Sequence, residues 1–176
     1  MKIIITATMI SIATLADVPA LNTLMNSAYR GETSKKGWTT EANILSGKRT
    51  TEDELTQTIL DPKNTILKYT QENTIIGSVL LVAQEHQLYL GMLTVSPELQ
   101  NSGIGKKMLA EAENHAKALG LSSIIMTVIS VREELIAWYK RHGYEDTGKR
   151  EAFPESDIHI TTSKEPLEFI YLEKKV

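Results

Sequence analysis

The chain has 176 residues, of which 41% are hydrophobic and 23% are charged, and this size fits one domain with a substantial core. A net charge of −3 and the lack of a block rich in lysine and arginine argue against a nucleic-acid-binding protein. Because the sequence has no cysteine, it excludes disulfides, Cys-ligated zinc and thiolate nucleophiles. The four histidines do not have metal-ligand spacing, so we expect no metal.

The N-terminal apolar run, residues 3–13, is predicted to form a strand. A signal peptide is the less favoured interpretation, because three hydroxyl residues interrupt the run and no small-residue cleavage site follows. No segment reaches the roughly 20 apolar residues that a membrane span needs. We therefore expect a cytoplasmic protein without a membrane partner, with one domain over residues 1–176.

Two helices are predicted in the first third of the chain. Asp17 caps the first helix, whose apolar face carries Val18, Leu21, Leu24, Met25 and Ala28. Residues 29–48 have no strong periodicity and are predicted to be a loop. Thr51 and Glu54 have the spacing of a capping box, which opens a second helix that an Asp-Pro pair ends.

Three strands follow, over residues 65–70, 74–83 and 88–95. The polar turn at residues 71–73 predicts a hairpin, so we expect the first pair to be antiparallel. Gly91, inside the third strand, predicts a β-bulge or a close backbone approach.

The second half of the chain alternates helices and strands. A helix opens at Gly103 and ends at Gly120, with an apolar side formed by Ile104, Met108, Leu109, Ala112, Ala116 and Leu119. The near-continuous apolar run at residues 124–129 is typical of a strand buried on both faces and parallel to its neighbour across the helix. A helix at about 132–142, strands at 144–149 and 167–173, and a loop at 151–166 are predicted to complete the chain.

A glycine-rich loop joins the third strand of this series to the helix at Gly103. Its sequence is Gln100-Asn101-Ser102-Gly103-Ile104-Gly105. Backbone N–H groups at a helix N-terminus lack partners, and the helix dipole adds positive charge, so this loop predicts a phosphate site. The glycine spacing excludes a P-loop, and Met108 stands where a dinucleotide fingerprint needs its third glycine.

The pattern Gln-x-x-Gly-x-Gly, with Val95 five residues before it, resembles the coenzyme A pyrophosphate loop of the GNAT superfamily of acyl-CoA-dependent N-acyltransferases. The predicted element order resembles that of the family as well. The resemblance implies an α/β (α+β) fold with a mixed, mostly antiparallel twisted sheet of about six or seven strands and about four flanking helices. In that fold the fourth and fifth strands are parallel and splay apart to bind coenzyme A.

The resemblance also implies the residues that contact acetyl-CoA. Residues 89–97 resemble the family's fourth strand, so the backbones of Leu93 and Val95 would contact pantetheine as an added strand does. The N–H groups of residues 101–106 would hold the pyrophosphate, and a side chain at Gly103 or Gly105 would block its approach. The full predicted set is Leu93, Thr94, Val95, Gln100, Asn101, Ser102, Gly103, Ile104, Gly105, Lys106, Arg132 and Tyr139.

Tyr139 is the predicted catalytic residue. Residues 137–144 resemble the family's helix that ends in a tyrosine, followed by a glycine and an aromatic residue. By resemblance, the Tyr139 hydroxyl would protonate the leaving thiolate. Many family members carry asparagine seven residues earlier, where this chain has Arg132. That arginine would lie near the phosphates, near an acidic substrate, or in solvent at the helix start.

The acceptor site is less specified by the sequence. Candidate substrate contacts are Arg30, Glu32, Trp38 and Tyr89, and Arg30 would grip a carboxylate or phosphate of the acceptor. Surface packing explains Arg30 and Trp38 equally well. Candidates for the general base are Glu32, Glu41, Glu85, His86 and Tyr89.

The resemblance implies transfer of acetyl from acetyl-CoA to a primary amine of a small molecule or peptide, by direct attack with both substrates bound. An N–H near Val95 would stabilise the oxyanion. A non-catalytic acyl-CoA sensor of the same fold, or an adaptor with a decayed site, are the alternatives. A homodimer is possible, but no residue pattern decides it.

Overall fold

The computed structural model describes residues 9–154, 160–162 and 166–176. Within these ranges the helices are Val18–Tyr29 (α1), Gly31–Ser34 (α2), Glu52–Leu60 (α3), Ile104–Ala118 (α4) and Glu133–Arg141 (α5). The strands are Met9–Ile12 (β1), Leu45–Ser46 (β2), Asn64–Gln71 (β3), Thr74–Ala83 (β4), Leu88–Val95 (β5), Ser123–Ile129 (β6), Glu145–Ala152 (β7), Ile160–Thr161 (β8) and Glu168–Lys175 (β9). Residues 3–8 of the predicted first strand, and parts of the predicted 151–166 loop, lie outside the described residues.

The described strands form a seven-stranded sheet in the order β1-β3-β4-β5-β6-β9-β7, and a separate pair, β2-β8. Every neighbouring pair in the large sheet is antiparallel except β5 and β6, which are parallel. That parallel pairing extends over two positions, Leu88 with Ile124 and Tyr89 with Ile125. Beyond them the two strands separate, so the predicted mixed sheet with a splayed parallel pair is confirmed.

Helices cover both faces of the sheet because strand side chains alternate between the faces. Ile66 on β3 packs with α1 and α3 in one hydrophobic cluster. The next residue, Leu67, belongs to the main cluster, which α4 and α5 join on the opposite face. These two apolar layers fix α4 and α5 beside the splayed strands.

A β-bulge lies in β5 where Gly91 predicted an irregularity. Leu80 on β4 pairs with Gly91, but Ser78 pairs with Thr94, so β5 has one residue more than its partner. The extra residue is accommodated at Met92, whose φ of 51° is left-handed. The bulge therefore turns the end of β5 away from its regular course, directly before the glycine loop.

Four local predictions need correction. The described part of the predicted loop at 151–166 contains the end of β7 and the strand β8. The predicted loop at 29–48 contains α2 and β2, which are too short to show periodicity. Leu119 is 49% exposed because α4 ends at Ala118, so it does not belong to the apolar face. Asp17 occupies the α1 N-cap position, but its carboxylate binds Lys68 Nζ at 2.9 Å and the Thr14 amide at 2.8 Å.

The capping box of α3 is half formed. Thr51 Oγ1 accepts from the Glu54 amide at 3.2 Å, as predicted. The Glu54 carboxylate instead accepts from the Thr50 hydroxyl at 3.1 Å. Thr51 therefore supplies the cap of α3, and the Glu54 carboxylate hydrogen-bonds Thr50, the residue before the cap.

We expect Thr51→Ala to lower the free energy of unfolding by about 1 kcal/mol, because the Glu54 amide loses its acceptor. Urea denaturation measures this change. Thr56→Ala in the same helix is the matched control: its hydroxyl bonds a carbonyl within the helix, and alanine is the better helix former. Equal losses in the two variants would contradict the capping role.

In the part of the chain that the structure describes, no helix is both long and apolar enough to cross a membrane.

Candidate active site

A cavity of about 300 Å³ lies between the end of β5, the glycine loop and α5. Ten of the predicted site residues line this cavity: Trp38, Leu93, Val95, Gln100, Asn101, Gly103, Ile104, Gly105, Lys106 and Tyr139. The fold thus brings together two segments about 40 residues apart, the glycine loop and the helix of Tyr139. Thr94 and Ser102 are not among the lining residues: Thr94 is buried, and the Ser102 hydroxyl donates back to the Leu99 carbonyl.

The glycine loop holds its backbone in an unusual conformation. Asn101 and Gly103 both have left-handed φ values, 68° and 85°. Among the described residues, no backbone carbonyl accepts a hydrogen bond from the amides of residues 101–106. These amides lie at the N-terminus of the 15-residue α4, whose dipole adds positive charge. The arrangement suits phosphate oxygens.

The two loop glycines are required for different reasons. A Cβ at Gly103 would meet no atom within 4 Å, so this position needs glycine for its φ of 85°. A Cβ at Gly105 would lie 3.3 Å from the Trp138 ring. Gly105 therefore lets α4 and α5 approach each other closely at the cavity wall.

Gln100 connects the glycine loop to the segment at residues 37–39. Its Oε1 accepts from the Trp38 and Thr39 amides at 2.8 and 3.3 Å. Its Nε2 donates to Thr39 Oγ1 at 2.6 Å and to the Val95 carbonyl at 3.2 Å. The predicted cofactor contact of Gln100 is thus accompanied by a structural role, because four bonds hold the side chain within the protein.

We expect Gln100→Ala to weaken acetyl-CoA binding by about tenfold, because the Trp38 and Thr39 amides lose their acceptor and the cavity wall loosens. Calorimetric titration measures the dissociation constant. Gln57→Ala, at an exposed position on α3, is the control and should bind normally. Unchanged affinity in Gln100→Ala would contradict the role of this side chain in shaping the cavity.

The open edge of β5 faces the gap between the splayed strands. The Ser96 amide donates to the Ile76 carbonyl of β4, so the alternate residues Val95 and Leu93 direct their backbone groups away from β4. Their carbonyls already accept from the Gln100 side chain and the Tyr29 hydroxyl. By the same alternation, the N–H groups of Leu93 and Val95 are expected to face the gap.

Tyr139 lies where two cavities meet. It is 6% exposed, and its ring packs edge-on against Trp138 and Tyr144 at centroid distances of 5.1 and 5.8 Å. Its hydroxyl has no hydrogen-bond partner among the described residues. Burial raises the pKa of Tyr139, so the phenol keeps its proton at neutral pH. The hydroxyl is therefore a proton donor that the protein itself does not use.

A second cavity of about 70 Å³ lies across the splay, between β5 and β6. Four residues line both cavities: Tyr29, Leu93, Leu135 and Tyr139. Burial raises the pKa of Tyr29, against the opposing effect of Arg132 and Arg49, so Tyr29 is a neutral donor to the Leu93 carbonyl. The two cavities are thus adjacent and share these four side chains as walls.

Three arginines surround one buried carboxylate at the second cavity. Glu41 lies 3.4 Å from Arg30, 3.8 Å from Arg49 and 3.6 Å from Arg132. Arg132 also donates to the Thr39 carbonyl, and it lines neither the first nor the second cavity. Arg30 is 6% exposed, and it donates to the Ser46 and Lys48 carbonyls.

The structure places the remaining acceptor and base candidates at different distances from the cavities. Tyr89 bonds Thr127 on β6 at 3.0 Å, and Thr127 lines the second cavity. Glu32 is exposed and pairs with Lys35. Glu85 and His86 are exposed in the turn before β5, roughly 20 Å along that strand from the bulge at about 3.3 Å per residue, so neither can act as the base.

The sequence matches the model of the family described as an acetyltransferase (GNAT) domain, over residues 34–159. The chain belongs to the GNAT acetyltransferases. No curated protein matches the sequence significantly. Within the described residues, no group of histidines, cysteines and carboxylates has the arrangement of a metal site.

Solved GNAT structures share the fold over nearly the whole chain. The ribosomal-protein-S18-alanine N-acetyltransferase of Escherichia coli is 14% identical and has a TM-score of 0.72, with 97% of this chain and 94% of that chain covered. The ribosomal-protein-alanine N-acetyltransferase of Brucella melitensis is 18% identical, with a TM-score of 0.71 and coverages of 96% and 99%. The PaiA N-acetyltransferase of Thermoplasma acidophilum, solved with coenzyme A, is 18% identical, with a TM-score of 0.67 and coverages of 97% and 99%.

Several cavity residues of this GNAT protein were not predicted. On α5 and directly after it, Leu135, Trp138, Tyr139 and His142 all line the first cavity. Their spacing of i, i+3, i+4 and i+7 is a helical face, and this signal could have identified them from Tyr139 alone. Tyr29 and Arg49 have no comparable local signal, because they reach the site from α1 and from the segment before α3.

Proposed function

We propose that this GNAT protein is an N-acetyltransferase that moves the acetyl group of acetyl-CoA to a primary amine, with both substrates bound together. One observation carries the proposal: the glycine loop, whose amides lack partners, and Tyr139, whose hydroxyl lacks one, line the same cavity. The amides suit a pyrophosphate, and the phenol suits a departing thiolate. When bound, acetyl-CoA supplies the acetyl group as an activated thioester.

The chain's own residues would do four things in this reaction. The loop amides and Lys106 bind the phosphates, and the N–H groups of Leu93 and Val95 orient the pantetheine arm and polarise the acetyl carbonyl. Tyr139 gives its proton to the thiolate sulfur as the carbon–sulfur bond breaks. The amine loses a proton as its bond to carbon forms, and we propose that solvent water accepts it, relayed by the paired hydroxyls of Thr127 and Tyr89. Holding both reactants in adjoining cavities supplies much of the rate.

The acceptor class is a primary amine of a small molecule or a peptide. Two of the similar structures are ribosomal-protein-alanine N-acetyltransferases, which are named for an acceptor amine on a protein. Their names support a peptide acceptor. The small second cavity supports the amine of a compact molecule. We propose no metal, no nucleic-acid partner and a single domain over the whole chain; a homodimer is compatible with these assignments.

The alternative is an acyl-CoA sensor of the same fold, which would bind the cofactor without turnover. Calorimetric titration with acetyl-CoA, followed by a thiol-release assay across a panel of amines, separates the two. We expect micromolar binding and thiol release with at least one amine. Binding without thiol release would favour the sensor, and no binding would overturn both proposals.

A further inference from the structure

We propose that the acceptor amine carries a carboxylate, and that Arg49 binds this carboxylate in the second cavity. The inference rests on the proposed function, because it specifies the substrate class of the same site.

The charges around Glu41 do not balance. In the described part of the chain, Glu41 is the only carboxylate within ion-pair distance of Arg49 and Arg132. Even with Arg30 set aside, two guanidinium groups share one carboxylate. The side chains of Arg49, Arg132 and Glu41 are 26%, 11% and 8% exposed, so water compensates only part of the surplus charge. A partly buried surplus cation is stabilised when an anion joins it.

Arg49 is the arginine that a ligand in the second cavity would meet. Arg132 donates to the Thr39 carbonyl in addition to its ion pair, and it does not line the second cavity. Arg49 does line it, and Arg49 touches Glu41 only through Nε, at a long 3.8 Å. Its guanidinium carbon lies 5.7 Å from the centre of the Tyr29 ring, which positions the group by a cation–π contact. Arg49 is therefore placed to donate two parallel N–H hydrogen bonds to a carboxylate.

The second cavity lies beside Tyr139. The second cavity and the acetyl-CoA cavity share Tyr29, Leu93, Leu135 and Tyr139 as walls. A molecule whose carboxylate meets Arg49 would thus hold its amine near the Tyr139 hydroxyl. The volume of about 70 Å³ has room for roughly five water-sized groups, which suits a short amino acid. A planar carboxylate also matches the guanidinium fork in two parallel bonds.

A binding experiment tests the carboxylate site without any turnover. Thermal unfolding is followed with sodium butyrate, butyramide or inorganic phosphate at matched ionic strength, for the wild type, Arg49→Ala and Arg141→Ala. Arg141 is exposed near the end of α5 and is the matched control for the loss of one arginine. We expect butyrate, but not butyramide, to raise the midpoint of the wild type and Arg141→Ala, and to have no effect on Arg49→Ala.

Three results would overturn the inference. They are no butyrate effect in the wild type, an equal effect in Arg49→Ala, or an effect of phosphate alone. Because the glycine loop is intact in Arg49→Ala, anion binding at that loop would persist in this variant and be recognised. Circular dichroism of Arg49→Ala, and recovery of part of the butyrate effect in Arg49→Lys, exclude simple misfolding.

An activity experiment then separates this inference from the proposed function. Thiol release is measured with glycine, β-alanine and γ-aminobutyrate, each paired with its primary amide. We expect kcat/KM to be about 10- to 100-fold higher for the acid than for its amide in at least one pair, and this preference to disappear in Arg49→Ala. Equal use of acids and amides would overturn the inference while the proposed function stands. Butyrate binding at Arg49 without thiol release from any amine would count against the proposed function instead.

Discussion

Replacing Gly103 by valine is expected to weaken acetyl-CoA binding by about 100-fold. The position has a φ of 85°, which a β-branched residue adopts only at a cost of about 1–3 kcal/mol. The loop would relieve this strain by rotating its peptide groups, so the amides of residues 101–106 would no longer converge. Each charged hydrogen bond lost to a phosphate costs about 1.5–3 kcal/mol, and losing one or two accounts for the expected factor.

Gly148→Val is the matched control for this prediction. Gly148 also has a φ of 85°, and a Cβ there would also meet nothing within 4 Å, but it lies in β7 and lines neither of the two cavities beside Tyr139. We expect both variants to lose similar stability in thermal unfolding, and only Gly103→Val to lose affinity in calorimetric titration. If both variants bound acetyl-CoA as the wild type does, the glycine loop would not be the phosphate site.

Tyr139→Phe is expected to lower kcat by about 100-fold and to leave the affinity for acetyl-CoA within a factor of three. The variant removes the proton donor but keeps the ring that packs against Trp138 and Tyr144. A positioned general acid contributes about 10²–10⁴ in rate, so the lower end of this range is expected for a thiolate, which is a good leaving group. Steady-state thiol release, together with calorimetric titration, measures the two effects separately.

Tyr144→Phe is the control for the loss of a hydroxyl. Tyr144 is 1% exposed, and its hydroxyl has no hydrogen-bond partner among the described residues. Removing it should leave kcat unchanged and should not lower stability, because no bond is lost and a buried polar group is removed. A loss of kcat as large as that of Tyr139→Phe would mean that the aromatic packing, and not proton donation, limits the reaction.

The pH dependence of the wild type gives a second check on Tyr139. Burial raises the pKa of Tyr139, so its acid form stays fully populated up to and beyond the usual tyrosine range. Ionisation of Tyr139 should therefore cause no decrease in rate below about pH 10. Up to that pH, the pH–rate profiles of the wild type and Tyr139→Phe should have the same shape. A decrease below that pH, present in the wild type and absent in the variant, would contradict the buried, protonated state of this phenol.

Much of the fold follows from contiguous patterns in the sequence. The apolar run at 124–129 predicted the central strand β6, the polar turn at 71–73 predicted the β3–β4 hairpin, and Gly91 predicted the irregularity in β5. These features depend on backbone periodicity and turn chemistry, which neighbouring residues encode. The short elements α2 and β2 were not predictable in this way, because two to four residues carry no period.

The candidate site likewise combines features that the local sequence predicts with features that depend on tertiary packing. The sequence alone located the glycine loop between a strand and a helix, because that is a local pattern with a known geometry, and the resemblance to the family pointed to Tyr139. Only the tertiary structure decided that Gln100 holds a segment 62 residues away, that Arg132 reaches Thr39 across 93 residues, and that Arg49 lines the cavity beside Tyr139. The physical reason is that a local pattern specifies the course of the backbone, whereas the partner of a side chain is set by which distant elements the packed core brings against it.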